Sequence, residues 1–212
     1  MYKKFILNKD MAYLVGAILG DGYISNSTKS KSDLSKDYRI SLETMDFSFI
    51  ESFTSRITQF VYTKTTIKTR LAKLNRVQTY YFQLRNKGLH TYLTQVLNLP
   101  KGPKSTDLRI PLSIWNSKIN LQKCFIAGLF DSDGGIRGRN IGFTMKNKLF
   151  MEDVQRMLFN WGISSVQDSW FNCKYGRNYY GLRINRENTV TFLKEIPISN
   201  KDKLNRVIKH IH

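Results

Sequence analysis

Two rhythms of apolar and polar residues alternate along the 212-residue chain. Met11 to Gly20 forms an apolar run of helical length, and Leu121 to Ser132 forms another. Glycine ends each run, at Gly22 and at Gly134-Gly135, and Asp10 and Asn120 stand where N-caps belong. Short strand-like stretches follow each run: Tyr23 to Ser25 with Tyr38 to Leu42, and Ile136 to Arg139 with Ile141 to Thr144. Helical spacing then returns over Phe47 to Phe60 and Leu149 to Trp161. Second strand pairs come next, Thr65 to Leu74 with Val77 to Arg85, and Ser165 to Cys173 with Tyr179 to Ile184. Helices near Leu89–Leu97 and Glu187–Glu195 close the two series. The order helix, strand pair, helix, strand pair, helix therefore occurs twice, which predicts an α+β fold of two pseudo-symmetric halves. Residues 1–98 read as the first half, 99–118 as a linker holding three of the four prolines, and 119–212 as the second half. The amphipathic, basic stretch Lys201 to His212 reads as a docking helix or a phosphate contact.

The first helix of each half carries the same nine-residue pattern. Leu14-Val15-Gly16-Ala17-Ile18-Leu19-Gly20-Asp21-Gly22 returns as Ile126-Ala127-Gly128-Leu129-Phe130-Asp131-Ser132-Asp133-Gly134. Leu19 stands against Asp131, so only the later acid, Asp21 or Asp133, is present in both copies. Gly16 and Gly20 lie one turn apart on one helix face, as do Gly128 and Ser132, and such bare faces let helices approach inside the usual ~8–10 Å. Pairing through them would set Asp21 and Asp133 side by side at two helix C-termini. Each C-terminus already carries about half a negative charge, so the acids would repel strongly. A shared divalent cation resolves that conflict, and hard carboxylate oxygens suit Mg²⁺.

Charge names the class of partner. Lys and Arg total 34 against 16 acids, a net charge of +18. The basic residues divide 18 and 16 between residues 1–112 and 113–212, which describes a continuous basic surface and not a basic tail. Such a surface favours nucleic acid. Two-stranded ribbons fit the major groove, about 12 Å wide, where every base pair is distinguishable. Lys29, Lys31, Arg39, Lys68, Arg70, Arg76, Gln78, Tyr80, Arg137, Arg139, Gln167, Asn172, Arg177 and Asn178 have the chemistry for phosphate or base contacts. Cys124 and Cys173 form no Cys-x-x-Cys pair, and His90, His210 and His212 form no ligand cluster, which argues against zinc chemistry. The longest apolar run, Met11 to Gly20, falls short of the ~20 residues of a membrane span, and the first residues lack a secretion signal. The expected setting is intracellular, in prokaryotic cytoplasm or an organelle.

The two nine-residue stretches resemble the motif of the LAGLIDADG homing endonucleases, in the single-chain form with two motifs. That resemblance implies αββαββα halves with saddle-shaped antiparallel sheets and the motif helices paired at the centre. It implies Asp21 and Asp133 as catalytic metal ligands, joined by the carbonyls of Gly20 and Ser132, with Gly16, Gly20, Gly128 and Ser132 in the helix interface. Arg85 and Arg183, at matching strand ends, would stabilise charge at the phosphate. Glu43 stands where the family often places a neutral polar residue, and Arg137 and Lys146 are further candidates. The implied activity is a staggered double-strand cut in a long, pseudo-palindromic DNA site by a monomer. Mg²⁺ would serve it, Mn²⁺ would substitute, and Ca²⁺ would support binding without cutting. The alternative is a maturase that binds intron RNA, and a third reading is a transcriptional DNA-binding protein; neither needs paired metal ligands. An intein is not expected, because the chain starts with Met1 and ends Ile211-His212.

Overall fold

The computed structural model describes residues 5–26, 37–62, 66–71 and 77–211. Lys29, Lys31, Arg76, the loop at 27–32 and the hairpin tip at 73–76 lie outside the described residues. Helix α1 spans Lys9–Gly20, and Asn8 caps it by accepting from the Met11 N–H at 2.9 Å. Asp10, expected as the cap, sits in the first turn and pairs with Arg56 at 3.4 Å. Every residue from Met11 to Leu19 is buried, so α1 is a core helix apolar all round. The matching helix α5, Ile119–Asp133, starts at Lys118 without a side-chain cap and is buried from Cys124 to Asp131.

The first half adds β1 (Gly22–Ile24), β2 (Arg39–Thr44), α2 (Phe47–Thr58), β3 (Lys68–Leu71), β4 (Gln78–Arg85) and α3 (Lys87–Thr91). A π-helical turn, Tyr92–Val96, extends α3. The linker holds a short helix, α4 (Leu112–Trp115), that its sequence pattern did not reveal. After α5 the second half adds β5 (Gly134–Arg137), β6 (Asn140–Met145), α6 (Lys148–Phe159), β7 (Ser165–Asn172), β8 (Arg177–Ile184), α7 (Arg186–Glu195) and α8 (Lys201–Ile211). None of the described helices is long and apolar enough to cross a membrane.

Each half folds into one antiparallel four-stranded sheet, ordered β1-β2-β4-β3 and β5-β6-β8-β7. The pleat sorts side chains by period two. Ile40, Leu42, Phe82 and Leu84 face the helices in the first half, and Ile141, Phe143, Leu182 and Ile184 do so in the second. Aromatic rings fill the space beneath. Phe53 meets Phe82 at 5.5 Å between centroids, and Phe130 meets Phe143 at 5.5 Å and Phe192 at 5.2 Å. Among the described residues, no helix covers the opposite face of either sheet.

Helices α1 and α5 join the halves backbone to backbone. A Cβ built on Gly16 would lie 2.0 Å from the Phe125 carbonyl oxygen, and one on Gly128 would lie 2.0 Å from that of Tyr13. Each glycine thus meets the carbonyl three residues before the other, a reciprocal contact that expresses the pseudo-twofold axis. The α+β architecture of two matched halves, read from the apolar pattern, is the architecture observed.

Candidate DNA-cleaving site

The motif helices end together. A Cβ on Gly20 would fall 1.9 Å from Ser132 Oγ and 2.8 Å from an Asp133 carboxylate oxygen, so the helix ends touch where the two acids emerge. Burial is the main cause that pushes the Asp133 carboxyl up, to about 7, with the charge of Asp21 second. Asp21 opens onto solvent, yet the protein around it raises its carboxyl as well. Lys104 and Lys203 oppose both shifts.

These lysines cap the helix ends. Lys104, from the linker, donates to the Gly20 carbonyl. Lys203, from α8, donates to the carbonyls of Phe130, Asp131 and Ser132 at 2.9, 2.8 and 3.0 Å. The ammonium groups therefore reach the Gly20 and Ser132 carbonyls that the family resemblance assigns to a metal. Burial lowers both lysine pKa values, and the acids pull them back up. Two acids and two lysines give this centre near-neutral charge, which offsets the cost of grouping like charges at helix C-termini.

Two cavities flank the acids, one toward each half. One, of about 460 Å³, is lined by Asp21, Asp133, Lys104, Tyr179 and the run Thr144-Met145-Lys146-Asn147 at the end of β6. The other, of about 400 Å³, is lined by Asp21, Asp131, Ser132, Lys203, Arg206 and the run Thr44-Met45-Asp46 at the end of β2. The Thr-Met pairs correspond, but the first half has no lysine matching Lys146. In its cavity the positive charge comes from α8 instead. Arg206 pairs with Asp46 at 3.5 Å.

The start of α8 is fixed to both halves. Asn200 is fully buried, accepts from the Lys203 N–H at 2.9 Å and donates to Asp46 at 2.7 Å. Asp131, buried one position from Ser132, accepts from the Tyr13 hydroxyl at 2.6 Å and from the Ser199 N–H at 3.0 Å. Burial raises its carboxyl to about 6 against these hydrogen bonds. Asp131 therefore acts from beneath the centre, tying α1 to the segment that delivers Lys203.

The arginines expected at the phosphate are each engaged by an acid. Arg85 pairs with Asp37 at 3.3 Å and Arg183 with Asp168 at 3.1 Å, and neither lines a cavity beside the acids. Across the sheets Arg183 lies one residue past Leu182, which is level with Gly134, whereas Arg85 is level with Arg39, three residues from Leu42, which is level with Gly22. Glu43 is likewise outside the centre: it accepts from Arg70 Nε at 2.7 Å and from the Thr79 hydroxyl at 2.8 Å.

Strand register distributes the expected nucleic-acid contacts. Arg39, Lys68 and Arg70 occupy the open face of the first sheet with Thr79, Tyr81 and Arg85. Arg137, Asn172 and Arg177 occupy that of the second with Asp168, Trp170 and Arg183. Gln78, Tyr80, Gln167 and Asn178 fall on the helix side, one pleat away from the face their chemistry suggested. Tyr80 is held there by Phe47, 5.0 Å away between centroids. Arg139 lies past the end of β5, beside Arg186 and His210.

Two matched halves, each giving one motif helix and one acid to a shared centre, define the class of fold: two pseudo-symmetric α+β halves joined by paired helices. Residues 120–197 match the model of the LAGLIDADG-like domain. Along the whole chain the sequence is 25% identical over 193 residues to homing endonuclease I-DmoI of Desulfurococcus mucosus, covering 91% of this chain and 90% of that protein. It is 26% identical over 205 residues to the replication factor C small subunit of Methanocaldococcus jannaschii, covering 96% of this chain but only 10% of that protein's length. The structure of I-DmoI in complex with DNA and Mn superposes with a TM-score of 0.65 at 22% identity, covering 90% of this chain and 97% of that one. Homing endonuclease I-WcaI bound to its DNA recognition sequence gives 0.61 at 20% identity, covering 97% and 88%.

Proposed function

We propose that the protein is a site-specific DNA endonuclease that hydrolyses one phosphodiester in each strand, using a divalent cation. The observation that carries this reading is the pair Asp21 and Asp133, crowded at two helix ends and flanked by a cavity on each side that holds two basic side chains. Their carboxylates are hard oxygen donors, and together with water and phosphate oxygens they would hold Mg²⁺ or Mn²⁺. Such a cation, when bound, polarises the phosphate and makes bound water a nucleophile near neutral pH.

The chain's own groups do the rest. Lys104 and Lys146 on one side, and Lys203 and Arg206 on the other, place positive charge where a phosphate entering either cavity gains negative charge. Strands β1 and β5 leave directly from the two acids into the sheets, so a duplex lying on the open faces would present its backbone to the acids. The differing halves imply unequal half-sites, and the single chain implies action as a monomer. An RNA-binding maturase would need the basic faces but not the acid pair, and for that reason the endonuclease reading is preferred.

The test is cleavage of a randomised double-stranded library with Mg²⁺, beside Asp21→Asn and Asp133→Asn. Discrete staggered cuts that vanish in both variants are the expected result. Uncut DNA in Mg²⁺ and Mn²⁺, with tight binding to a structured intron RNA, would transfer the reading to the maturase.

A further inference from the structure

The open faces carry a charge pattern that a phosphate-gripping surface does not require. Acids are a minority in this chain, 16 against 34 basic residues, yet they sit among the arginines on the faces meant for a polyanion. Glu43 holds Arg70, Asp37 holds Arg39 and Arg85, and Asp168 holds Arg137 and Arg183. A carboxylate facing DNA repels every phosphate near it and weakens binding to all sequences alike. Its place there is explained if it does something that sequence-independent binding does not reward.

The second sheet shows how the cluster is built. Arg137 is the deep member, its side chain only 18% exposed, with its guanidinium over the Trp170 ring at 4.8 Å. It donates to the Thr144 hydroxyl and, at 3.3 Å, to Asp168 Oδ1. Asp168 is thereby fixed, and its other oxygen makes an ion pair with Arg183 Nε at 3.1 Å. Gly181 makes room, since a Cβ there would lie 2.0 Å from Asp168 Oδ1 and 2.5 Å from an Arg137 nitrogen. Trp170 and Tyr179, stacked 5.9 Å apart, wall the cluster. Arg183 is the outer member, 45% exposed, and its ion pair with Asp168 runs through Nε, which leaves both Nη nitrogens as a fork.

We propose that Arg183, held by Asp168, reads a guanine in the major groove of the half-site that faces the second sheet, and that Asp168 is its positioning residue. Guanine offers O6 and N7 side by side, the acceptor pair that an arginine fork matches. A tethered guanidinium has already lost its rotamer freedom, so less is lost when the base is engaged. Arg70, bound through two nitrogens by Glu43 and lying over Tyr81 at 4.6 Å, repeats the construction on the first sheet. The inference rests on the DNA-binding part of the proposed function.

Selection of bound duplexes from a random library, without added divalent cation, tests it on the intact chain and on Asp168→Asn and Arg183→Lys. The intact protein should require guanine at one position of one half-site. Both variants should lose that preference about fivefold to a hundredfold while the other positions stay as they were. Asp168→Asn should also bind unrelated DNA more tightly, because one repulsive charge is gone. Unchanged preference in both variants would overturn the assignment and leave Arg183 a phosphate contact. Loss of preference spread over both half-sites would also overturn it, marking the cluster as structural. A wild-type chain that selects no sequence at all would fail earlier, at the proposed function itself.

Discussion

Gly128→Ala tests the central helix contact most directly. The added methyl would sit 2.0 Å from the Tyr13 carbonyl oxygen, 2.9 Å from its carbonyl carbon and 3.0 Å from the Ala17 nitrogen. An ordinary carbon–oxygen contact is near 3.5 Å, so helices α1 and α5 must part by roughly 1–1.5 Å locally. All three obstacles are backbone atoms, and no rotamer change can relieve them. Overpacking a tight core costs about 1–3 kcal/mol, and this site belongs at the upper end. For a chain of this size, about 3 kcal/mol lowers Tm by roughly 6–12 °C. Gly135→Ala is the control, since nothing lies within 4 Å of its added methyl, and it should stay within about 0.5 kcal/mol of wild type. Gly16→Ala should match Gly128→Ala, and the double variant should cost less than the sum, because the first methyl has already opened the gap for the second. Urea and thermal midpoints measure all four proteins. A Gly128→Ala chain as stable as Gly135→Ala, or a fully additive double variant, would refute the reciprocal backbone contact.

The acid pair makes a pH prediction. The Asp133 carboxyl is raised in the folded state, so the native chain holds a proton that the unfolded chain releases, and stability falls as pH rises from about 4 to about 7. Asp133→Asn should therefore be more stable than wild type at pH 8, lose that advantage at pH 4, and cut no DNA; urea midpoints at the two pH values check the sign. Lys203→Met should destabilise by about 1–3 kcal/mol, because three carbonyls at the end of α5 lose their donor. It should also slow cutting of the strand nearest the first-half cavity more than that of the other, which a nicking assay on supercoiled plasmid resolves.

The helix pair and the element order were legible because each follows from a local signal: an apolar run, a glycine stop, a pattern occurring twice. The strand faces were not. Tyr80 and Tyr81 are adjacent and chemically alike, and which of them turns inward follows only from the strand's register, in which Tyr80 shares the face of Phe82 and Leu84 and packs on Phe47. Lys104 and Lys203 escaped notice because they reach the centre from 84 and 71 residues away along the chain, where no spacing rule operates. Asp131 has Leu19 as its counterpart, and that asymmetry marks the tie it makes to Tyr13 and Ser199. Arg85 and Arg183 were placed at the phosphate by analogy of position, while the acids that hold them, Asp37 and Asp168, lie elsewhere in the sequence.

The glycine-to-carbonyl contact between α1 and α5 bears on how such a protein can be recombined. Main-chain atoms are the same whatever the side chains, so a half taken from another protein with glycine at the same two turns would meet a surface it already fits. The obstacle to such a chimera would come from the private tie of Tyr13, Asp131 and Ser199, which spans the seam and belongs to this chain. Grafts that carry Tyr13 along with the second half should assemble, and those that omit it would strand a buried acid beneath the acid pair.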